Sequence, residues 1–151
     1  MQLFLNIPRV AQAFQAAVVA HQGQKYGNLP YFTHVLTVAE NVPDPTEDEL
    51  VAALLHDIVE DTPWQLMHVA EQFGDNVAEI VGLVTKDPDL SYEGNIMRII
   101  ASGNQSAIKI KWADNLANMR SNKSDMSAER RDKLNEKYAK SFPALSSVLG
   151  V

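Results

Sequence analysis

The string His56-Asp57-Ile58-Val59-Glu60-Asp61 places an imidazole and three carboxylates on the end of an otherwise apolar stretch that begins at Leu50. Ionisable groups on a buried helix are costly unless they are paired, hydrogen-bonded or bound to a metal. His56 and Glu60 are spaced i, i+4, as are Asp57 and Asp61, so on a continuous helix each pair shares a face and the two faces adjoin. That pattern suits a metal site with acid–base groups beside it. It also suits a hydrogen-bonded core histidine followed by carboxylates at a solvated helix end. Carboxylates there oppose the helix dipole, and a cation would relieve both that interaction and their mutual repulsion. His34, in PYFTHVLTVAE, and Asp114, in IKIKWADNLANMR, are further ligand types, although spacing alone does not bring them to His56-Asp57.

The elements that must position these residues read as helices throughout. Pro8 suits a first helical turn, and Val10, Ala11, Phe14, Ala17 and Val18 follow at helical spacing. Gly23 and Gly27 mark 23–30 as a loop, and 31–41 reads as a second helix. Thr46-Glu47-Asp48-Glu49 is a capping-box pattern opening a central, buried helix that runs to about Asp61. Thr62-Pro63, with Gln65 as capping partner, opens the next helix, which ends at Phe73-Gly74. Helices are expected at 75–85, 91–102, 105–121, 127–141 and 143–149. No segment alternates with a period of two, so no sheet is expected.

The chain has 151 residues, a length that suits one domain over 1–151 with its own core. Its formal net charge is −6. That excludes a broad nucleic-acid-binding face, which needs a basic stripe, but not an anionic ligand held by a few lysines. Cys is absent, which removes disulfides and thiolate metal sites. The start, MQLFLNIPRV, lacks the pattern of a signal peptide, and no apolar run reaches membrane-spanning length. A cytoplasmic protein, with neither nucleic acid nor membrane as partner, is expected.

The order H…HD…D resembles that of the HD-domain metal-dependent phosphohydrolases. The strings HQGQKYGNLPYFTH, ALLHDIVEDT, FGDNVAEIVGLVTK and IKIKWADNLANMR are similar to the hydrolase domain of the RelA/SpoT-homologue family, and at this length to the small alarmone hydrolases. HDIVEDT is the most specific of these pieces. The resemblance spans roughly residues 10–140 and implies an all-α, HD-type helical bundle. It implies His34, His56, Asp57 and Asp114 as metal ligands, with Mn²⁺ favoured, and Glu60 and Asp61 as the catalytic acidic pair. It further implies substrate contacts from Lys25 (phosphates), Asn118 (sugar) and Tyr138. The substrate it implies is a small nucleotide, (p)ppGpp, losing its 3′-pyrophosphate.

Two departures bear on the substrate. The family's loop usually has Arg and a second basic residue where this chain has Gln24-Lys25-Tyr26-Gly27. Its Asp-Arg-x-His-Asn motif is here Asp114-Asn115-Leu116-Ala117-Asn118. They keep open a phosphohydrolase acting on a different nucleotide, and a metal- or nucleotide-binding module without turnover. Lys111 and Arg98 could supply local positive charge, whereas Lys86 and Lys109 read as solvated surface residues. Trp64, Trp112 and Met119 read as packing residues, His21 as a local hydrogen-bonding group, and His68 as exposed.

Overall fold

The apolar 3.6-residue period becomes helix almost everywhere in the computed structural model, which describes residues 2–151. A 3-10 turn (Gln2–Asn6) leads into α1 (Pro8–Ala20), followed by α2 (Phe32–Asn41), α3 (Glu47–Leu54), α4 (Ile58–Asp61), α5 (Leu66–Phe73) and α6 (Asp75–Val84). The chain continues through α7 (Tyr92–Ala101), α8 (Gln105–Arg120) and α9 (Ala128–Leu149). As expected, α3 is central: Leu50 to Leu54 are all buried, and α1, α2, α6 and α8 pack around it. α8 lies between α2 and α9, so the helices that carry His34, His56 and Asp114 are neighbours. Among the described residues no helix is long and apolar enough to cross a membrane.

Four expectations need correction. The loop at 23–30 contains a minimal antiparallel hairpin, β1 (Lys25–Tyr26) with β2 (Leu29–Pro30), turned by Gly27 at φ +62°. The helix expected from 47 to 61 breaks at Leu55-His56-Asp57, where Leu55 (φ −101°, ψ 4°) and Asp57 (φ −104°, ψ 1°) occupy the bridge region. Thr62 does not open α5. Its hydroxyl donates to the Ile58 carbonyl and accepts from Trp64 N, closing α4, while Gln65 becomes the cap with His68 Nδ1 accepting from Gln65 N at 2.9 Å. His68 is thereby half-buried rather than exposed. Finally, α9 continues through Pro143 rather than ending before it. An interior proline costs about 3 kcal/mol. Packing on both sides offsets it here: Phe142 stacks on Trp112, Trp112 Nε1 donates to Ser146 Oγ at 3.0 Å, and Leu145 is fully buried.

Lys109 is likewise not a solvated surface residue. The capping box at Thr46 forms as read, and its Glu49 is buried. Glu49 Oε1 accepts from Lys109 Nζ at 2.6 Å and Oε2 from Ser106 Oγ at 2.7 Å. Burial pushes the Glu49 carboxyl pKa up, but the Lys109 ammonium, the Thr46 N–H and the Ser106 hydroxyl outweigh it and hold the carboxyl below its usual range. A depressed carboxyl contributes stability that is present above its unfolded pKa and lost as pH falls through the folded one. Lys109→Met, which strands the buried carboxylate, should cost about 3 kcal/mol at neutral pH by urea denaturation. The loss should shrink in acid, once the pH falls below the usual carboxylate range and Glu49 protonates; an equal loss at all pH values would contradict this.

Candidate active site

The helix break at 55–57 builds the centre of the site. There the Ala53 carbonyl accepts from the His56 backbone N–H at 3.4 Å and from His56 Nδ1 at 2.7 Å. With its hydrogen committed there, His56 turns Nε2 inward, toward Asp57 Oδ2 at 3.0 Å and Asp114 Oδ1 at 3.4 Å. His34, from α2, brings its Nε2 to 3.0 Å from Asp114 Oδ1 and 3.7 Å from Asp57 Oδ2. Asp114 comes from α8, where Lys111 Nζ, one turn back, donates to Oδ2 at 3.0 Å and Asn118 Nδ2 to Oδ1 at 3.2 Å. His34, His56 and Asp114 are buried, and Asp57 nearly so.

His56 Nε2 is buried without a hydrogen bond although two carboxylates face it. A nitrogen lone pair and carboxylate oxygens at that range repel one another unless a cation or proton lies between them. Bonds of about 2.1 Å at octahedral angles put neighbouring ligand atoms about 3.0 Å apart, close to the spacings found here. His34, His56 and Asp57 each offer an atom within 4.8 Å of the others, and Asp114 approaches both imidazoles. Two nitrogen and two oxygen donors with no thiolate suit a borderline divalent ion such as Mn²⁺ or Zn²⁺.

The charges answer one another. Burial alone would lower the His56 pKa, but the carboxylates of Asp57 and Asp114 hold it well above the usual range. Against the same burial, the positive charge of His56 holds Asp57 down at about 2, and Lys111 with the two imidazoles holds Asp114 well below the carboxylate range. A divalent ion would take the place of the shared proton and keep the same carboxylates ionised.

Glu60 and Asp61 remain beside this cluster, although the broken helix no longer sets them by i, i+4 spacing. Asp57, Glu60 and Asp61 present oxygens within 4.8 Å of one another. Both acids of the pair are exposed at the rim, not buried. Glu60 Oε1 accepts from Lys86 N at 2.8 Å. Desolvation and the nearby Asp57 raise both carboxyl pKa values. A carboxyl raised in this way is a better proton acceptor than an ordinary carboxylate.

Three aromatic residues missed in the sequence complete the walls. Tyr31 OH donates to Asp57 Oδ2 at 2.6 Å and lies 3.4 Å from Asp61 Oδ2. Tyr31 precedes His34 by three residues, a spacing that could have revealed it. Tyr26 stacks on His34 with ring centroids 4.3 Å apart, and its hydroxyl donates to Asn118 Oδ1. Tyr92 OH donates to Asn115 Oδ1. Tyr31→Phe removes the donor that orients Asp57, so metal affinity should fall about 10–100-fold, measured by titration with Mn²⁺ against a competing chelator; unchanged affinity would sink this role.

A cavity of about 420 Å³ opens over the cluster, lined among others by Glu60, Lys86, Lys111, Asn118, Lys137 and Tyr138. Asn118 and Tyr138 therefore face the cluster's cavity. Lys25 does not: it lies exposed on β1 and lines an adjoining cavity with Lys123 and Arg130. His21 behaves as read, pairing through Nδ1 with Gln24 Oε1 at 2.8 Å, while Gln24 Nε2 donates to the Asp61 carbonyl at 2.8 Å and ties the hairpin to the acidic pair. Arg98 is structural, donating to the Thr85 carbonyl at 2.9 Å.

An all-helical fold with a buried two-His, two-Asp cluster beside an acidic pair is the class of site that HD domains carry. The HD domain family model matches residues 11–93, which include His34, His56, Asp57, Glu60 and Asp61, and the chain belongs to that family. It is 33% identical over 158 aligned residues to the bifunctional (p)ppGpp synthase/hydrolase SpoT of Escherichia coli K12, covering 97% of this chain and 22% of that protein. It is 38% identical over 125 residues to a probable GTP pyrophosphokinase of Mycobacterium leprae, covering 76% of this chain and 16% of that protein. The chain thus spans about a fifth of the length of the curated relatives it matches. A solved structure of a metazoan orthologue of SpoT, described as hydrolysing ppGpp and acting in starvation responses, superposes with a TM-score of 0.77 at 28% identity. That match covers 95% of this chain and 92% of the other.

Proposed function

We propose that the protein is a metal-dependent phosphohydrolase that removes the 3′-pyrophosphate of (p)ppGpp, giving GDP or GTP and pyrophosphate, as part of a cytoplasmic alarmone (stringent) response. The observation that carries this reading is the meeting of His34, His56, Asp57 and Asp114, drawn from α2, the turn at 55–57 and α8, around one point. In this reading those four residues hold the ion, with Mn²⁺ favoured. A divalent ion held there supplies an acidified water and a polarised phosphoryl oxygen.

The chain's own residues do the rest. Tyr31 fixes the Asp57 carboxylate, and Ala53 fixes the His56 ring. The Glu60-Asp61 pair orients the attacking water at the rim and accepts its proton. Lys111 holds Asp114 in place, while Asn118 and Tyr138 border the substrate within the cavity. Lys25, in the adjoining cavity, would meet a phosphate on the far side of the nucleoside. Names of relatives agree with this substrate: SpoT of Escherichia coli K12 and the ppGpp-hydrolysing metazoan orthologue are both similar to this chain.

The hairpin supports a second reading, in which the nucleotide differs. Tyr26 covers His34 where the resemblance would put a basic residue, and Lys25 lines an adjoining cavity rather than the cluster's own. Purified protein with Mn²⁺ should release pyrophosphate from ppGpp in a nucleotide panel. Release from another nucleotide and none from ppGpp would favour the second reading. No release from any nucleotide under any divalent metal would leave a binding module.

A further inference from the structure

The far wall of the cluster's cavity carries positive charge that the metal cluster does not use. Lys86, Lys111 and Lys137 all line this cavity. Lys111 is committed to Asp114, whereas Lys86 and Lys137 are exposed at the cavity's rim and, among the described residues, form no ion pair. Lys137 is the more constrained of those two: its ammonium lies 4.8 Å from the centroid of the Tyr92 ring and 4.9 Å from that of Tyr138. Those rings are themselves fixed. They meet edge to face at 5.6 Å, and the fully buried Asn115 holds the Tyr92 ring by accepting from its OH while donating to the Tyr138 backbone carbonyl at 2.8 Å. A long flexible side chain is thus held at the cavity by two aromatic faces. Burial and repulsion from Lys111 and Lys86 lower its pKa. Cations gathered against their mutual repulsion, in an acidic protein, are a receptor for an anion.

The charges of the lining indicate which anion. Its carboxylates Asp57, Glu60 and Asp114, with Asp61 beside them at the rim, outnumber its three lysines by one, so a divalent ion would leave the site one positive charge in excess. One phosphate at the metal cluster would leave the Lys137 ammonium unanswered, whereas a diphosphate carries a second phosphate to meet it within the same cavity. We propose that Lys137 makes the site select a diphosphate group over a single phosphate, by binding the distal phosphate of the group that leaves. This rests on the phosphohydrolase reading above but adds a residue and a selectivity to it.

The test uses binding as well as turnover. Inorganic pyrophosphate and inorganic phosphate are titrated calorimetrically into the metal-loaded full chain. The wild type should bind pyrophosphate at least about tenfold more tightly than phosphate, the effect of one charge-assisted contact. Lys137→Met should abolish that preference, Lys137→Arg should restore most of it, and Lys133→Met, on the same helix but outside the cavity, should keep it. A preference that survives in Lys137→Met, or is missing from the wild type, overturns the proposal. If the preference depends on Lys137 but ppGpp is not hydrolysed, the functional reading fails and the selectivity stands. If ppGpp is hydrolysed and Lys137→Met keeps the preference, the reverse holds.

Discussion

Asp57→Asn should remove metal-dependent hydrolysis while leaving the helical fold in place. Asp57 Oδ2 is the oxygen that faces both imidazoles, at 3.0 Å from His56 and 3.7 Å from His34, and it also accepts from Tyr31 OH. An amide of the same shape keeps the packing but surrenders the charge. Its nitrogen would point a donor where a cation belongs, or its oxygen would hold an ion without the charge to retain it. The expected loss is at least about 10²–10³-fold in kcat/KM, the range for removing one electrostatic stabiliser of a transition state. Circular dichroism should show unchanged helix content. Excess Mn²⁺ should restore little. Activity within a few-fold of wild type at low metal would mean that the ion, if any, binds elsewhere.

The acidic pair should behave differently. Glu60 and Asp61 lie at the rim, exposed, with pKa values raised by desolvation and by Asp57. Neither approaches an imidazole as Asp57 and Asp114 do. Glu60→Gln and Asp61→Asn should therefore bind Mn²⁺ nearly as the wild type does. The variant that loses the working base should fall about 10²–10⁴-fold in kcat, and the acidic limb of its pH–rate profile should flatten. The sign follows from the chemistry: a base is active only when ionised, so wild-type activity should rise with pH through the raised pKa of that carboxyl. The other variant should lose less and keep the limb. If both keep wild-type kcat, the pair has no part in proton transfer.

The His–Asp cluster and the fold class were legible in the sequence for different reasons. Helical periodicity and caps such as Thr46 with Glu49 report local energetics, and these elements formed nearly where expected. The meeting of His34 and Asp114 with His56-Asp57 depends on how α2, α3 and α8 pack, which spacing does not encode; only the resemblance in motif order anticipated it. The break at 55–57 carried no signal, since Leu55, His56 and Asp57 include no glycine or proline. At the break the Ala53 carbonyl accepts from both the backbone N–H and the ring of His56, a side-chain contact that no propensity rule foretells. The i, i+4 reasoning thus grouped residues that do lie together, through a helix that is not continuous. Pro143 and Thr62-Pro63 misled in the opposite direction, because long-range packing against Trp112 and the bond to Ile58 overrode local rules. Lys109 and Lys137 look alike in the sequence, and only their surroundings separate a buried ion pair from a cation at a cavity mouth.

Titrating Mn²⁺ into the metal-free protein tests the central claim most directly. One ion should bind per chain, and His34→Gln, Asp57→Asn and Asp114→Asn should each weaken binding severely, although the three residues come from different parts of the chain. No stoichiometric binding by the wild type, or undiminished binding in any of these variants, would contradict the four-residue centre on which the functional reading stands.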